Sequence, residues 1–250
     1  MNYTTELSRL RTADSCEVRR AIAADLDPLI KKSEFPKLNK LSFCAKQDWN
    51  VDNLSVRLLK SHNPRVLETY VPISTYGDSN CLFRAVSRLL YSTEEHHAKL
   101  RLQSACEVIL HPDLYDIASP SIYEPFKSST YLCVPTLAEV IDELVREGPR
   151  KTGYTGFVGL LAVSSIIRAP IHMIYPLASA DGMFDEYSQK LVGRDVDADA
   201  EGYSVMWSTT RDGTFGENCA VDLNHFVALI KHDHQPSPFT RGAETRTGKR

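Results

Sequence analysis

The run VPISTYGDSNCLFRAVSRLLY, residues 71–91, constrains the fold more than any other stretch of the chain. Its first half is turn-rich. Its second half carries Leu82, Phe83, Val86, Leu89 and Leu90 at helical spacing, one apolar stripe that needs a neighbouring layer to cover it. A turn feeding straight into an amphipathic helix predicts Cys81 in the first helical turn. There the unpaired N–H groups and the positive end of the helix dipole favour a thiolate over a thiol. The turn Tyr76-Gly77-Asp78-Ser79-Asn80 can also aim backbone N–H groups at one point beside the sulfur, the geometry that stabilises the oxyanion of acyl transfer.

The rest of the chain supplies helices and short strands. Downstream, a helix is predicted over 94–110, stopped by His111-Pro112, and Pro120, Pro125 and Pro135 then punctuate a loop. Thr136 can cap a helix LAEVIDELVREG that ends just before Gly148. The helical GFVGLLAVSSIIR leads through Ala169-Pro170 into the strand-like IHMIY, and YSVMWSTT (203–210) and HFVALI (225–230) read as two more strands. Residues 178–202 are polar and read as a surface loop, as do residues 211–224. Upstream, residues 1–70 are mostly helical and charged, with Leu7, Leu10, Val18, Ile22, Leu26, Leu29 and Ile30 at helix-like spacing. Asp27-Pro28 and Phe35-Pro36 are expected to interrupt that pattern, and Asp52 with Asn53 to cap the next helix. The resulting division is a helical N-terminal extension (1–65), a main domain (66–231) and a polar tail (232–250) expected to be disordered.

Composition narrows the function classes. With 250 residues, 42% hydrophobic content and a net charge of −3, the chain can bury one sizeable core and has no bias toward a nucleic-acid partner. Six cysteines without a CxxC pair predict reduced thiols rather than a disulfide framework or a zinc site. His96-His97 and His232/His234 read as solvent-facing, so neither a metal nor another cofactor is expected. The N-terminus lacks the pattern of a secretory signal, and the apolar stretch from Gly156 to Ile167 is too short and polar to span a bilayer. The expectation is a cytoplasmic monomer, with the nucleus as the other compartment, and no membrane partner.

A cysteine nucleophile needs a proton-handling partner brought near by the fold. His225 opens an apolar strand directly after a polar loop, so its ring should lie at a sheet end. His62, His96 and His97 sit in charged surroundings, His172 lies inside a buried strand, and His232 and His234 belong to the tail. By residue type alone a helix-start cysteine is more often structural than catalytic, and both readings stay open at this level.

The run Gly77-Asp78-Ser79-Asn80-Cys81-Leu82-Phe83-Arg84-Ala85 resembles the signature G-D-G-N-C-L-F-R-A of the ovarian-tumour (OTU) cysteine proteases, with Ser79 in place of the central glycine. Tyr154 to Ile171 is similar to the family's later helix and P-I-x-V strand, and Asn224-His225-Phe226-Val227 to its terminal histidine strand. The resemblance spans residues 66–231. It implies an α+β, papain-like OTU fold: a small mixed central sheet flanked by helices, here with a helical N-terminal extension. It implies a deubiquitinase, a thiol protease cutting after the C-terminal Gly-Gly of ubiquitin or a ubiquitin-like modifier. Cys81 would be nucleophile, His225 base and then acid. The N–H groups of Asp78 and its neighbours would form the oxyanion hole, with Gly77, Ser79, Asn80 and Phe226 beside the substrate. Two departures bear on this. Val227 stands where many members carry the Asp or Asn that orients the histidine, leaving Asn224, Asp222 or a polar residue near Ser204–Ser208 as candidates. Ser79 would be strained in a strongly left-handed turn. The alternatives are a catalytically impaired OTU fold that binds ubiquitin, and a polyprotein-processing protease of a virus or mobile element.

Overall fold

Strand β6 (His225–His232) is apolar on both faces for most of its length, and the fold is organised around covering it. The structure is a computed structural model and describes residues 1–31, 35, 42–43, 49–116, 136–146, 154–177, 188–212 and 223–232. β2 (Tyr70–Ile73) runs antiparallel to β6, from Tyr70 opposite Lys231 to Ile73 opposite Ala228. On the other edge of β6, β5 (Tyr203–Ser208) pairs antiparallel from Ser204 opposite Leu229 to Ser208 opposite His225. The parallel β1 (Ser42–Phe43) takes over that edge at Lys231. β3 (Ile171–Ile174) lies parallel to β5, and β4 (Gln189–Leu191) antiparallel to β3. The sheet is therefore mixed, as the family resemblance implies.

Side chains alternate across β6, and each face has its own apolar cluster. Phe226, Ala228 and Ile230 enter the main core with residues of α5 (Cys81–Tyr91), α6 (His97–Leu110), α8 (Leu137–Val145) and α9 (Tyr154–Ile167). Val227 and Leu229 enter a smaller core with Met206, Val56 and Leu59 of α3 (Asn53–His62), and Leu67 of α4 (Val66–Thr69). A short α7 (Pro112–Tyr115) follows α6, with Pro112 in the first turn, where its missing N–H costs nothing.

The N-terminal helices α1 (Tyr3–Thr12) and α2 (Cys16–Lys31) contribute Leu7, Leu10, Ala23, Leu26 and Ile30 to the main core. The expected interruption at Asp27-Pro28 does not occur, for α2 runs through Pro28. Burial of Ala23, Leu26 and Ile30 on one face, with α2 against α6, outweighs the one backbone bond that proline removes. Val18 and Leu29, counted in the apolar pattern, are instead 46% and 53% exposed.

Other boundaries also differ. The helix predicted from residue 94 starts at His97. The turn-rich reading of VPIS hides most of β2, and the polar stretch 178–202 contains β4, whose three residues bury only Leu191 and leave no alternating pattern to read. His96 and His97 are not solvent-facing: His96 stacks on Tyr91 with ring centroids 4.0 Å apart, and His97 Nδ1 donates to the Glu94 carbonyl at 2.8 Å. His232 ends β6 rather than opening the tail, and donates from Nε2 to the Leu67 carbonyl at 3.1 Å. Thr136 forms the full capping box with Glu139. The loop around Pro120, Pro125 and Pro135, the cap at Gly148, Asp222 and the tail beyond His232 lie outside the described residues.

Close backbone approach sets the loop after β4. Gly193 donates to Ser164 Oγ at 2.9 Å, and a Cβ on it would stand 2.3 Å from the Ser165 nitrogen. Arg194 beside it grips the buried Glu107 carboxylate of α6 through two bonds of 3.0 Å. Gly159 in α9 differs, since its Cβ would meet only Leu82 and Leu144, at 3.8 and 3.9 Å. Gly193→Ala should therefore destabilise the protein by about 1–3 kcal/mol. Gly159→Ala should stabilise it by about 0.5–1 kcal/mol through helix propensity. Thermal or denaturant unfolding of the two variants checks both signs.

Candidate active site

Cys81 is the first residue of α5 and is 2% exposed. Asn80, the residue ahead of it, does not cap the helix with its side chain. Its Oδ1 accepts instead from Arg101 of α6 at 2.6 Å. The Arg101 guanidinium uses one bond from Nε and two from each terminal nitrogen. The acceptors are the carbonyls of Leu144, Ser79, Glu143 and Arg146, together with Asn80 Oδ1. The loop before the cysteine is thereby tied to the C-terminal end of α8.

Asp78 ties the same loop to α5. Its carboxylate accepts from the Asn80 backbone at 2.8 Å and from Arg84 Nε at 3.1 Å and Nη2 at 2.8 Å. Burial works to raise the Asp78 pKa, but the hydrogen bonds from Arg84 and Asn80 outweigh it and leave it lowered. Glu94 completes the clamp, accepting from Arg88 Nε at 2.9 Å and from the Tyr76 backbone at 3.2 Å. Gly77 packs so tightly that a Cβ would lie 3.0 Å from the Thr210 methyl. Ser79 is not among the non-glycine residues with positive φ, so its substitution for glycine carries no left-handed strain.

These bonds also decide where the backbone N–H groups point. Asp78 donates to the Tyr76 carbonyl at 3.0 Å, Asn80 to the Asp78 carboxylate, and Cys81 to the Asp78 carbonyl at 3.1 Å. The expected use of the Asp78 N–H in an oxyanion hole is not met in this conformation, where three of the loop's donors serve the loop itself.

His225 opens β6 and is 3% exposed. Its Nε2 lies 3.1 Å from Thr75 Oγ1, while its buried Nδ1 has no hydrogen-bond partner among the described residues, Cys81 included. Burial, the largest influence, lowers the pKa of the ring. Asp52, the Thr75 backbone, Asp78 and Glu94 favour the proton and offset burial only in part. Asp78, three residues before Cys81, is thus within electrostatic reach of the histidine. Cys106, a second core thiol among the described residues, is pushed up to about 12 by burial and by Asp27.

The candidates for orienting His225 are engaged elsewhere. Asn224 Oδ1 accepts from the Thr210 backbone at 3.0 Å, Ser208 Oγ lies 2.6 Å from Ser55 Oγ, and Ser204 donates to Tyr70 Oη at 3.2 Å. Val227 is fully buried in the smaller core. Phe226 lies in the main core with its ring against Trp207, centroids 4.0 Å apart. Thr75 was not legible as a site residue. Its only signal was a hydroxyl in the turn-rich run ahead of Cys81, and nothing local pairs it with a residue 150 positions away. A cleft of about 570 Å³ opens beside it, lined by Asn50, Thr75, Tyr76, Gly77, Arg88 and Glu94 among others. Among the described residues no three His, Cys, Asp or Glu side chains come together as metal ligands, and no helix is long and apolar enough to cross a membrane.

A comparison with curated protein sequences finds no match. Among solved structures, the OTU domain of OTUD1 is similar at 18% identity and a TM-score of 0.39, over 64% of this chain and 85% of that one. The viral OTU domain protease of Dera Ghazi Khan virus is similar at 12% identity and a TM-score of 0.39, over 67% and 85%. That of Farallon virus is similar at 16% identity and a TM-score of 0.36, over 66% and 86%. The family model described as "Vertnin, OTU domain" matches residues 72–208, which include the loop and Cys81 and stop short of His225. That match covers more than half of the chain, and the chain belongs to the OTU domain family in its vertnin form.

Proposed function

We propose that this chain is a cysteine protease that hydrolyses the isopeptide or peptide bond after the C-terminal Gly-Gly of ubiquitin or a ubiquitin-like modifier. The observation that carries the reading is the His225 ring: one nitrogen is held by Thr75, and the other is buried, without a hydrogen-bond partner among the described residues, in a ring that feels the charge of Asp78 in the loop before Cys81. In this reading Nδ1 takes the Cys81 proton as sulfur attacks the carbonyl carbon, and returns it to the departing lysine amine. Water, activated by the same nitrogen, then cleaves the thioester. A backbone N–H of the 78–81 loop would have to leave its internal acceptor to serve the oxyanion, so substrate engagement and loop rearrangement go together.

The inward N–H groups and the missing Cys81–His225 bond favour a second reading, an OTU fold that binds a modifier without turnover. Apo cysteine sites often tighten only on substrate binding, which leaves the protease reading ahead.

A ubiquitin probe with a C-terminal electrophile should label the protein, Cys81→Ala should abolish labelling, and His225→Ala should slow turnover by about 10²–10⁴-fold. Modifier binding without labelling, unchanged in Cys81→Ala, would establish the binding module instead. Because burial lowers the His225 pKa, the acid limb of kcat/KM should fall below about pH 6.5, the ordinary imidazole value. Linked stability has the same sign: it is full above that pH and is lost as pH falls through the lowered folded value. A pH–rate profile beside a pH series of unfolding curves measures both.

A further inference from the structure

We propose that Thr75 is the positioning residue of this site, holding His225 as the Nε2–H tautomer so that Nδ1 is the nitrogen that receives the Cys81 proton. The proposal rests on the protease reading above. The Thr75 hydroxyl has a single proton, and it donates that proton to the Phe226 carbonyl. Toward His225 Nε2, 3.1 Å away, Oγ1 can therefore only accept. That contact requires a hydrogen on Nε2, and in the neutral ring this leaves the lone pair on Nδ1, the buried atom with no partner among the described residues.

The fold explains why the task falls to a residue upstream of the nucleophile. A polar group at Val227 would have to sit between Val56, Leu59, Leu67, Met206 and Leu229, where its unpaired atoms would be costly. Thr75 follows β2, whose last residue Ile73 pairs with Ala228, so the strand ladder itself delivers the hydroxyl to the Phe226 carbonyl and the ring beside it. At 6% exposure Thr75 is shielded from competing water. A neutral hydroxyl fixes angle and tautomer but adds no charge to stabilise an imidazolium. The loss on removing it should be that of misorientation, about 10- to 100-fold.

Thr75→Val removes the hydroxyl with little change of shape, and Thr75→Ser keeps it. In the full chain near neutral pH, ¹⁵N NMR of the histidine rings should find His225 protonated at Nε2. The valine variant should lose that preference and the serine variant recover it. With ubiquitin carrying a C-terminal fluorogenic amide, kcat should fall about 10- to 100-fold in Thr75→Val with KM little changed, and return to within a few-fold of wild type in Thr75→Ser. A valine variant that keeps the Nε2–H tautomer, or that keeps the wild-type kcat, overturns the proposal. If the wild type turns over no modifier at all, the protease reading fails by itself, and the tautomer comparison still decides for or against Thr75.

Discussion

A buried guanidinium holds the region around Cys81 together. Arg101 leaves α6 at 3% exposure, and all of its N–H groups find oxygen. A cation removed from water is costly, but three of its acceptors are carbonyls at the C-terminal end of α8, where the unsatisfied oxygens and the helix dipole supply negative potential. The remaining acceptors belong to Ser79 and Asn80. One side chain thus satisfies the end of one helix and sets the loop that leads into another. Hydrogen bonds to charged groups contribute about 1.5–3 kcal/mol each. The loop geometry is consequently set from the main core through Arg101 as well as by the loop's own Asp78.

The two faces of the sheet divide the labour. The face bearing Phe226, Ala228 and Ile230 receives the helix that carries Cys81. The other face is roofed by α3 and α4, from the segment that precedes Cys81. That roof accounts for the family departure at Val227. Apolar surface on α3 demands an apolar partner on β6, and the polar support for the histidine then comes from the end of β2.

How much of this was legible in the sequence follows from how local each feature is. Cys81 at a helix start is encoded within a dozen residues, turn and amphipathic stripe together, so it could be read directly. His225 was readable as the opening of an apolar strand after a polar loop. Thr75 was not, because its role exists only through the pairing of β2 with β6. Neither was the passage of α2 through Pro28, where tertiary burial overrides a local breaker. The inward turn of the N–H groups at residues 78, 80 and 81 was equally hidden, since it depends on which acceptors the folded loop places nearby.

The central position of β6 has a consequence for how the molecule is made. β6 is the last described strand in the chain, yet β1, β2 and β5 all pair with it. At a synthesis rate of about 5–20 residues per second, β2 would wait roughly 8–30 s for its partner. Through that interval the apolar undersides of α3 and α5 lack the strand that covers them, and such long-range closure is intrinsically slow. Cys81 is synthesised well before His225. A nascent chain therefore carries the Cys81 thiol without His225 until the sheet closes, and the two residues come together in the same step as the core.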